Sequence, residues 1–293
     1  MDWQVLNVNE VLIEVKRDDG KSFFIDNMLW KITSDGLEGF DYLSPSVSTE
    51  ANVFDDGSRY VGSRVEQIDR TIKCRFNDSL ENKALQREFI RNFFNHKHKY
   101  QVIVDYMGQK KYCEGVLLKL SLPTENIYRP LELQFTILCY QPYMLSYDNF
   151  AKNIADVIGG LEFDFEITND GLDFGEYSFS REVTIDNKGD VDTNLMFVLK
   201  AKGNVTNPKV VKGDKFVRLI DKLVVGDEVV FDLISKPVKI TKNGQNVIGK
   251  TDRFSSFSQM KMNVGENVIK YDADDGYNNL DVFVYYNERY YGI

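Results

Sequence analysis

The fold is decided over residues 224–271, whose sequence is VVGDEVVFDLISKPVKITKNGQNVIGKTDRFSSFSQMKMNVGENVIKY. Short apolar runs alternate along this stretch with turn signals, of which Asn243-Gly244, between Ile240 and Val247, is the strongest. An Asn-Gly pair flanked by alternating apolar residues is typical of a β-hairpin with a two-residue turn. The stretch therefore predicts short antiparallel strands connected by tight turns.

The same pattern extends outward, from Val183 to the end of the sequence. It contains roughly eight short apolar segments at close to 8–12-residue spacing, separated by turn residues. Strands at this spacing indicate two packed antiparallel sheets. Residues 184–293 are therefore predicted to form a β-sandwich or jelly roll.

Residues 1–147 predict a different architecture, an antiparallel sheet with one helix. Residues 11–25 are two apolar runs around an Asp-Asp-Gly turn, which indicates a hairpin. Asp78 and Glu81 have the spacing of a helix capping box. The apolar residues that follow at helical spacing are Leu85, Phe89, Ile90, Phe93 and Phe94. Further strand-like runs complete this region, which we assign to the α+β class.

Three segments have less regular patterns. Residues 44–62 are polar and rich in turn residues, and we interpret them as a long loop or flexible arm. Residues 64–76 alternate with a slip at Gln67-Ile68, which predicts one strand with a bulge. Residues 148–183 interleave acidic and aromatic residues with glycine, and they predict a linker or excursion between the two domains.

The composition limits the classes of function. The 293 residues carry a net charge of −9, with 43% hydrophobic and 28% charged residues, as in globular proteins. No apolar run reaches the roughly 18–20 residues of a membrane helix. The N-terminal sequence MDWQVLNVNE lacks the pattern of a signal peptide. The acidic charge does not favour binding of nucleic acid. Integral membrane, secreted and nucleic-acid-binding proteins are therefore not expected.

The cysteines and the aromatic residues indicate buried surfaces. Cys74, Cys113 and Cys139 each lie in an apolar, strand-like run, so we predict buried thiols in a reducing cytoplasm. Aromatic residues make up 13% of the chain, mostly Phe and Tyr. This content favours strands with large packed faces, and subunit interfaces among them.

Two motifs superficially resemble metal sites. His96 and His98 are two residues apart, but no Cys or carboxylate cluster completes a ligand set, so a solvated helix end is the simpler interpretation. The segment 272–276, Asp-Ala-Asp-Asp-Gly, resembles the start of a calcium loop. Its glycine is at the fifth position rather than the sixth, and an acidic turn is expected instead.

Two further groups of residues could bind carbohydrate. An acidic group near aromatic residues resembles a glycosidase groove in composition only, and it consists of Glu162, Asp164, Glu166 and Asp170. Four tyrosines could stack on sugars or pack in a sandwich or subunit contact, and they are Tyr285, Tyr286, Tyr290 and Tyr291. We assign no catalytic, cofactor-binding or metal-binding residue and predict no cofactor. The residues by themselves indicate a structural or interaction protein.

The order of turns and strands resembles the siphophage distal tail proteins, a family of phage tail-tip and baseplate ring proteins. In the N-terminal half the resemblance is carried by an Asp-Gly loop, Arg64 opening a long strand, one amphipathic helix and the segment 133–143. Gln141 before Pro142, and Asn263-Val264 before a turn, depart from the common pattern without touching any proposed site. In the C-terminal half it is carried by Gly226-Asp227, residues 229–232, Asn243-Gly244, residues 254–260 and Gly265-Glu266-Asn267.

The resemblance implies an N-terminal ring-forming domain over residues 1–147 and a galectin-like β-sandwich over residues 184–293. It implies a homo-hexameric ring at the tail tip of a phage virion or of a phage-tail-like particle, assembled in the cytoplasm of the bacterial host. The expected partners are the tail tube protein, the tail-associated hub protein and receptor-binding proteins. DNA would pass the lumen without specific binding, because an acidic wall repels phosphate. A structural role without enzymatic activity is expected, with no membrane partner.

Two other classes of function stay open. A carbohydrate-binding adhesion module is the alternative, because lectins share the sandwich architecture, and an exposed groove with stacked aromatic side chains would distinguish it. A glycan-cleaving enzyme would need two carboxylates about 5–10 Å apart in a cleft, and the sequence nominates no such pair.

Overall fold

Antiparallel strands dominate the computed structural model of the chain, which confirms the predicted, mainly β class. The chain divides into two compact units, one of Met1–Asp148 with Arg289–Ile293 and one of Asn149–Glu288. Residues 289–293, which the sequence assigns to the C-terminal domain, thus belong to the first unit. Most of the predicted linker lies outside the described residues. The structure describes residues 11–52, 54–76, 80–123, 129–147, 150–153 and 182–293.

Among the described residues, the first unit combines strands with one α-helix, and the second is built from strands and two short 3-10 helices, Ile248–Lys250 and Tyr277–Asn279. The first unit contains β1 (Val11–Arg17), β2 (Ser22–Ile25), β3 (Trp30–Glu38), β4 (Pro45–Ala51), β5 (Ser58–Val65), β6 (Ile68–Phe76), α1 (Leu80–Phe93), β7 (Lys99–Tyr106), β8 (Gln109–Ser121), β9 (Leu131–Cys139) and β10 (Met144–Ser146).

The second unit begins with β11 (Phe150–Asn153), and the last strand of the chain, β25 (Arg289–Tyr290), returns to the first unit. Between them are β12 (Glu182–Asn187), β13 (Thr193–Asn194), β14 (Met196–Ala201), β15 (Val205–Thr206), β16 (Lys209–Lys212), β17 (Lys215–Arg218), β18 (Lys222–Leu223), β19 (Glu228–Asp232), β20 (Lys239–Lys242), β21 (Gln245–Asn246), β22 (Lys261–Met262), β23 (Gly265–Asp272) and β24 (Leu280–Tyr286).

One antiparallel sheet organises the first unit, with the strand order β2-β1-β7-β8-β9-β6-β3. Helix α1 packs on one face of this sheet through aromatic side chains. The Phe94 ring, just beyond the helix, lies 4.6 Å from the Phe135 ring on β9, and the Phe93 ring lies 5.9 Å from Phe23 on β2. Each such buried side chain contributes roughly 1.5–3 kcal/mol of transfer free energy. The predicted sheet-plus-helix arrangement is therefore confirmed.

The apolar stripe predicted for the helix is only half buried. Ile90, Phe93 and Phe94 lie in the core, whereas Leu85 and Phe89 are 65% and 44% exposed. The predicted capping pair does not enter this comparison, because Asp78 and the Glu81 side chain lie outside the described part of the chain. The sheet therefore covers only part of the apolar stripe of the helix, and the remaining apolar side chains are at the surface.

The side chain of Tyr100, on β7, caps the C-terminal end of helix α1. The Tyr100 hydroxyl accepts the Asn95 N–H at 2.6 Å and lies 2.9 Å from the Asn95 carbonyl and 3.2 Å from the Phe93 carbonyl. These backbone groups lack partners within a helix. Tyr100 is buried, so its hydroxyl satisfies them where water does not reach.

The structure corrects two predictions about residues 44–76. Residues 44–62 are not a loop, since β4 and β5 pair there as an antiparallel hairpin. Residues 64–76 are not one bulged strand, since β5 ends at Val65 and β6 begins at Ile68. The change of period at Gln67-Ile68 marks the point where the chain leaves the hairpin and enters the main sheet.

Two sheets enclose one apolar core in the second unit, as expected for a sandwich. Their strand orders are β11-β24-β14-β19-β20-β21 and β12-β23-β16-β17. The first sheet supplies Phe197 and Phe231 to the core, and the second supplies Ile269. All three side chains are fully buried. The alternation seen in the sequence therefore corresponds to inward and outward positions along each strand.

The Asn243-Gly244 turn connects β20 to β21, and its Asn243 side chain contacts the loop before β19. Both residues have positive φ, 50° and 78°, as a two-residue hairpin turn requires. The Asn243 side chain donates to Asp227 at 2.7 Å, and Lys242 Nζ lies 3.0 Å from the same carboxylate. The Val224 N–H, Asn243 and Lys242 together lower the pKa of Asp227 to about 2 against the opposing effect of burial. The turn and the loop before β19 are thus joined by one nearly buried carboxylate.

We expect Asp227→Asn to lower the free energy of unfolding by about 1–3 kcal/mol at pH 7, because a charged acceptor of buried hydrogen bonds is lost. The folded-state pKa of about 2 lies below the ordinary value of 3.8. The stabilisation from this carboxylate is therefore complete above pH 3.8 and is lost as the pH falls toward 2. Calorimetry at pH 7 and near pH 2 measures the difference between the two proteins.

The control for this prediction is Asp214→Asn, at an exposed turn of the same unit. It is expected to change the free energy of unfolding by no more than about 0.5 kcal/mol. A deficit of Asp227→Asn that persists undiminished near pH 2 would contradict the role of the charge.

Candidate assembly surface

The hairpin of β4 and β5, residues 45–65, is an arm that lies outside the core of the first unit, as far as the structure describes that unit. Every residue of β4 is exposed, and β5 is exposed except for partial burial at Gly62 and Val65. Within the described residues the two strands pair only with each other. The seven paired positions of the two strands, at about 3.3 Å each, give an arm roughly 23 Å long. The arm therefore presents two faces and two open backbone edges.

Apolar side chains are exposed on this arm. Val47, Tyr60 and Val61 are 51–61% exposed, and Phe54 near the tip is 95% exposed. The polar contacts of the arm are internal or with the adjoining residue Glu66, as in the 3.0 Å bond between the Tyr60 and Ser63 hydroxyls. None of these apolar side chains belongs to the core of the first unit.

An isolated two-stranded ribbon is at best marginally stable in water. Its unpaired N–H and C=O groups are also a template for another strand. The exposed apolar residues and the open edges therefore mark the arm as a surface for contact with another protein.

Sequence reasoning missed the arm as a structured element, although a signal was present. Asp55-Asp56-Gly57 is a turn signal, and β-branched residues flank it at Val47 and Val61. The pattern is weak because neither face of the ribbon is buried, so no alternation of apolar and polar residues is required.

The two histidines do not come together as ligands. His98 Nδ1 lies 2.6 Å from Asp18, in the turn after β1, and the Lys99 N–H donates to the other Asp18 oxygen. The Lys99 N–H and then His98 lower the pKa of Asp18. His96 makes no such contact within the described residues. The contact between His98 and Asp18 therefore joins two exposed loops.

The acidic segment 272–276 is a turn fixed by an arginine. Asp274 accepts hydrogen bonds from Arg218 at 2.6 Å and from Asn207 at 2.7 Å. Gly276 has φ +74°, and a Cβ there would lie 2.1 Å from the Asn204 carbonyl oxygen. The cation occupies the place that a metal would need. Among the described residues, no three His, Cys, Asp or Glu side chains are arranged as metal ligands.

The four tyrosines are divided between the units. Tyr286 is buried in the core of the second unit and Tyr285 is half-buried. Tyr290 and Tyr291 belong to the first unit, where the Tyr291 ring lies 6.2 Å from Tyr143. The acidic group Glu162, Asp164, Glu166 and Asp170 lies outside the described residues.

The three cysteines are buried free thiols, as predicted. Burial raises the pKa of Cys74 to about 12, so this thiol stays protonated. Within the described part of the chain, no helix has the length and apolarity needed to cross a bilayer.

Comparison with known proteins finds one family model that matches the C-terminal region of the chain. Residues 188–290 match the model of the siphovirus-type tail component, C-terminal domain, in the family named for SPP1 Dit. No curated protein matches the sequence.

Solved structures share the fold at low sequence identity. The crystal structure of SPP1 Dit (gp 19.1) matches with a TM-score of 0.67 and 10% identity, over 94% of this chain and 98% of that one. A chain of the phage P2 baseplate in its activated conformation with Ca matches with a TM-score of 0.48 and 15% identity, over 97% and 99% of the two chains.

The fold and the matched region together define a structural component of a phage tail. The match to the siphovirus-type tail component family covers residues 188–290 of the 293 in the chain. The resemblance of the chain to siphophage distal tail proteins is thereby confirmed, from the family model in the C-terminal region and from the fold over nearly the whole chain.

Because the arm is exposed, its side chains are expected to contribute little to the free energy of unfolding. We expect Phe54→Ser and Tyr60→Ser to change the free energy of unfolding by no more than about 0.5 kcal/mol, because neither side chain is in the core. Phe135→Ala removes a fully buried ring and is expected to cost about 3–5 kcal/mol. Urea denaturation followed by circular dichroism compares the variants. A loss above 2 kcal/mol in either arm variant would show that the arm contributes to the core.

Proposed function

We propose that the chain forms a closed ring at the virion tail tip, with six copies as the resemblance implies. The ring would be a structural hub that joins the tail tube to the tail-associated baseplate proteins, including the hub protein and receptor-binding proteins. The observation that carries this proposal is the family match of residues 188–290 to a siphovirus-type tail component. The shared fold supports it, because SPP1 Dit is described as a paradigm of the hub adsorption apparatus in phages that infect Gram-positive bacteria.

The arm supports the ring in physical terms. A closed ring needs a heterologous interface, in which one patch of each copy meets a different patch of the next. The arm is a patch of this kind, because it projects with apolar side chains and open edges that its own unit does not cover. The other side of the contact would be a surface elsewhere on the neighbouring copy.

The role is structural rather than catalytic in this proposal. The net charge of −9 would repel a DNA backbone passing through the ring, so DNA would move without adhering. The three free, buried thiols fit folding and assembly in the reducing cytoplasm of the host.

We expect the purified protein to form a closed assembly of about 200 kDa, six times the 33.9 kDa chain, because heterologous contacts close at a fixed number of copies. Light scattering at two protein concentrations measures this mass. The variant Phe54→Ser with Tyr60→Ser is expected to shift the population toward monomer, and Leu85→Ser, at an exposed helix position, is the control.

A mass that rises steadily with concentration would contradict a closed ring, since open association has no fixed end point. A monomer at both concentrations that binds specific sugars on a glycan array would favour the carbohydrate-binding adhesion module instead.

A further inference from the structure

A polar groove lies on the face of the main sheet that carries the outward side chains of β3, β6 and β9. It encloses about 500 Å³ and is lined by Lys31, Ser34, Lys73, Arg75 and Glu132 among others. The strand register places Lys31 directly opposite Arg75, and Arg75 directly opposite Glu132. The groove is therefore a set of charged side chains on three adjacent strands.

The cations of this groove are incompletely balanced. Like charges directly opposite each other on neighbouring strands destabilise a sheet. Lys73 is paired with Asp35 at 2.9 Å, but within the described residues neither Lys31 nor Arg75 forms an ion pair, and Glu132 forms none either. Two adjacent cations thus face a concave surface in a protein of net charge −9.

A bulge in β3 shapes the wall of the groove. The pairing of β3 with β6 is interrupted between Ile32 and Leu37. A Cβ at Gly36 would lie 2.3 Å from the Ile32 side chain and 2.7 Å from the Lys73 carbonyl oxygen. Glycine is therefore required there, and exposed Ser34 and Asp35 form the wall opposite the cations.

The tip of the arm has the complementary chemistry. Phe54 is 95% exposed, and Asp55 and Asp56 beside it are exposed. Within the described residues neither carboxylate forms an ion pair in its own copy. An arm roughly 23 Å long can place this acidic tip well beyond the unit that carries it.

We propose that the groove of one copy receives the tip of the arm of the next copy, with Asp55 and Asp56 against Lys31 and Arg75. This inference rests on the proposed ring and names the two patches of its interface. The contact is heterologous, because the tip and the groove are different patches of the chain, and it repeats from copy to copy. The opposite charges set its register and accelerate its formation.

Charge reversal tests the contact in the full chain. Asp55→Lys with Asp56→Lys, and separately Lys31→Glu with Arg75→Glu, are each expected to raise the concentration for half-assembly at least about tenfold, because like charges then meet. All four substitutions combined are expected to restore assembly. The control for the arm-tip variant is Glu266→Lys with Asp272→Lys, which makes the same change of net charge as Asp55→Lys with Asp56→Lys at exposed positions of β23 in the second unit.

A cross-linking experiment tests the contact independently of ring closure. Ser58→Cys lies beside the tip and Ser34→Cys lines the groove, and neither removes a charge. The native thiols are buried and do not react with a short bismaleimide. Covalent dimers are expected when the two variants are mixed, and not when either is treated alone.

The outcomes separate this inference from the ring itself. Wild-type rings that are unaffected by both charge reversals, or reversals that fail to rescue each other, would overturn the contact and leave the ring standing. A monomeric wild type overturns the ring, and absence of mixed cross-links then overturns the contact as well. Binding of DNA by the wild type that is lost in Lys31→Glu with Arg75→Glu, at unchanged assembly, would assign the groove to phosphate instead.

Discussion

The packing of aromatic side chains between helix α1 and one face of the main sheet is the interaction on which the first unit depends. Phe23, Phe93, Phe94, Tyr100 and Phe135 form a continuous set of ring contacts between β2, the helix end, β7 and β9. Because one helix covers one face, the opposite face and the arm stay outside the core. The surfaces available for assembly are therefore those that the single helix does not cover.

The completion of the first unit requires the last residues of the chain. Strand β25 pairs with β10, and the Ile293 N–H donates to the Phe40 carbonyl at 3.0 Å. A Cβ at Gly292 would lie 2.6 Å from the same carbonyl oxygen, so only glycine allows this approach. During synthesis the first unit consequently stays incomplete until the whole second unit has been made. Folding of the two units is thus coupled through chain connectivity, although each has its own core.

The elements that sequence reasoning predicted are those in which burial imposes a period. The alternating strands of the second unit are confirmed, because strands such as β14, β19 and β24 place one face in the core. The Asn243-Gly244 hairpin is also confirmed, but through its turn residues, because its second strand β21 is exposed. Residues 44–62 were interpreted as a long loop or flexible arm, and the strands of the arm at residues 45–65 were missed because both of its faces are exposed, so its side chains carry no period. The groove was missed for another reason. Lys31 and Arg75 are 44 positions apart, and only the pairing of β3 with β6 makes them neighbours.

A ring of identical acidic copies has to overcome its own repulsion. Each chain carries a net charge of −9, so two copies approach against an unfavourable long-range field. At physiological ionic strength this field is screened beyond about 8 Å, whereas a contact between opposite charges acts at closer range. A local pair of opposite patches, such as an acidic tip and a groove with two unpaired cations, is therefore attractive only when the copies are correctly placed. In the proposed ring, repulsion elsewhere would then penalise incorrect registers, and the overall acidity that would disfavour DNA adhesion would also make the assembly contact more specific.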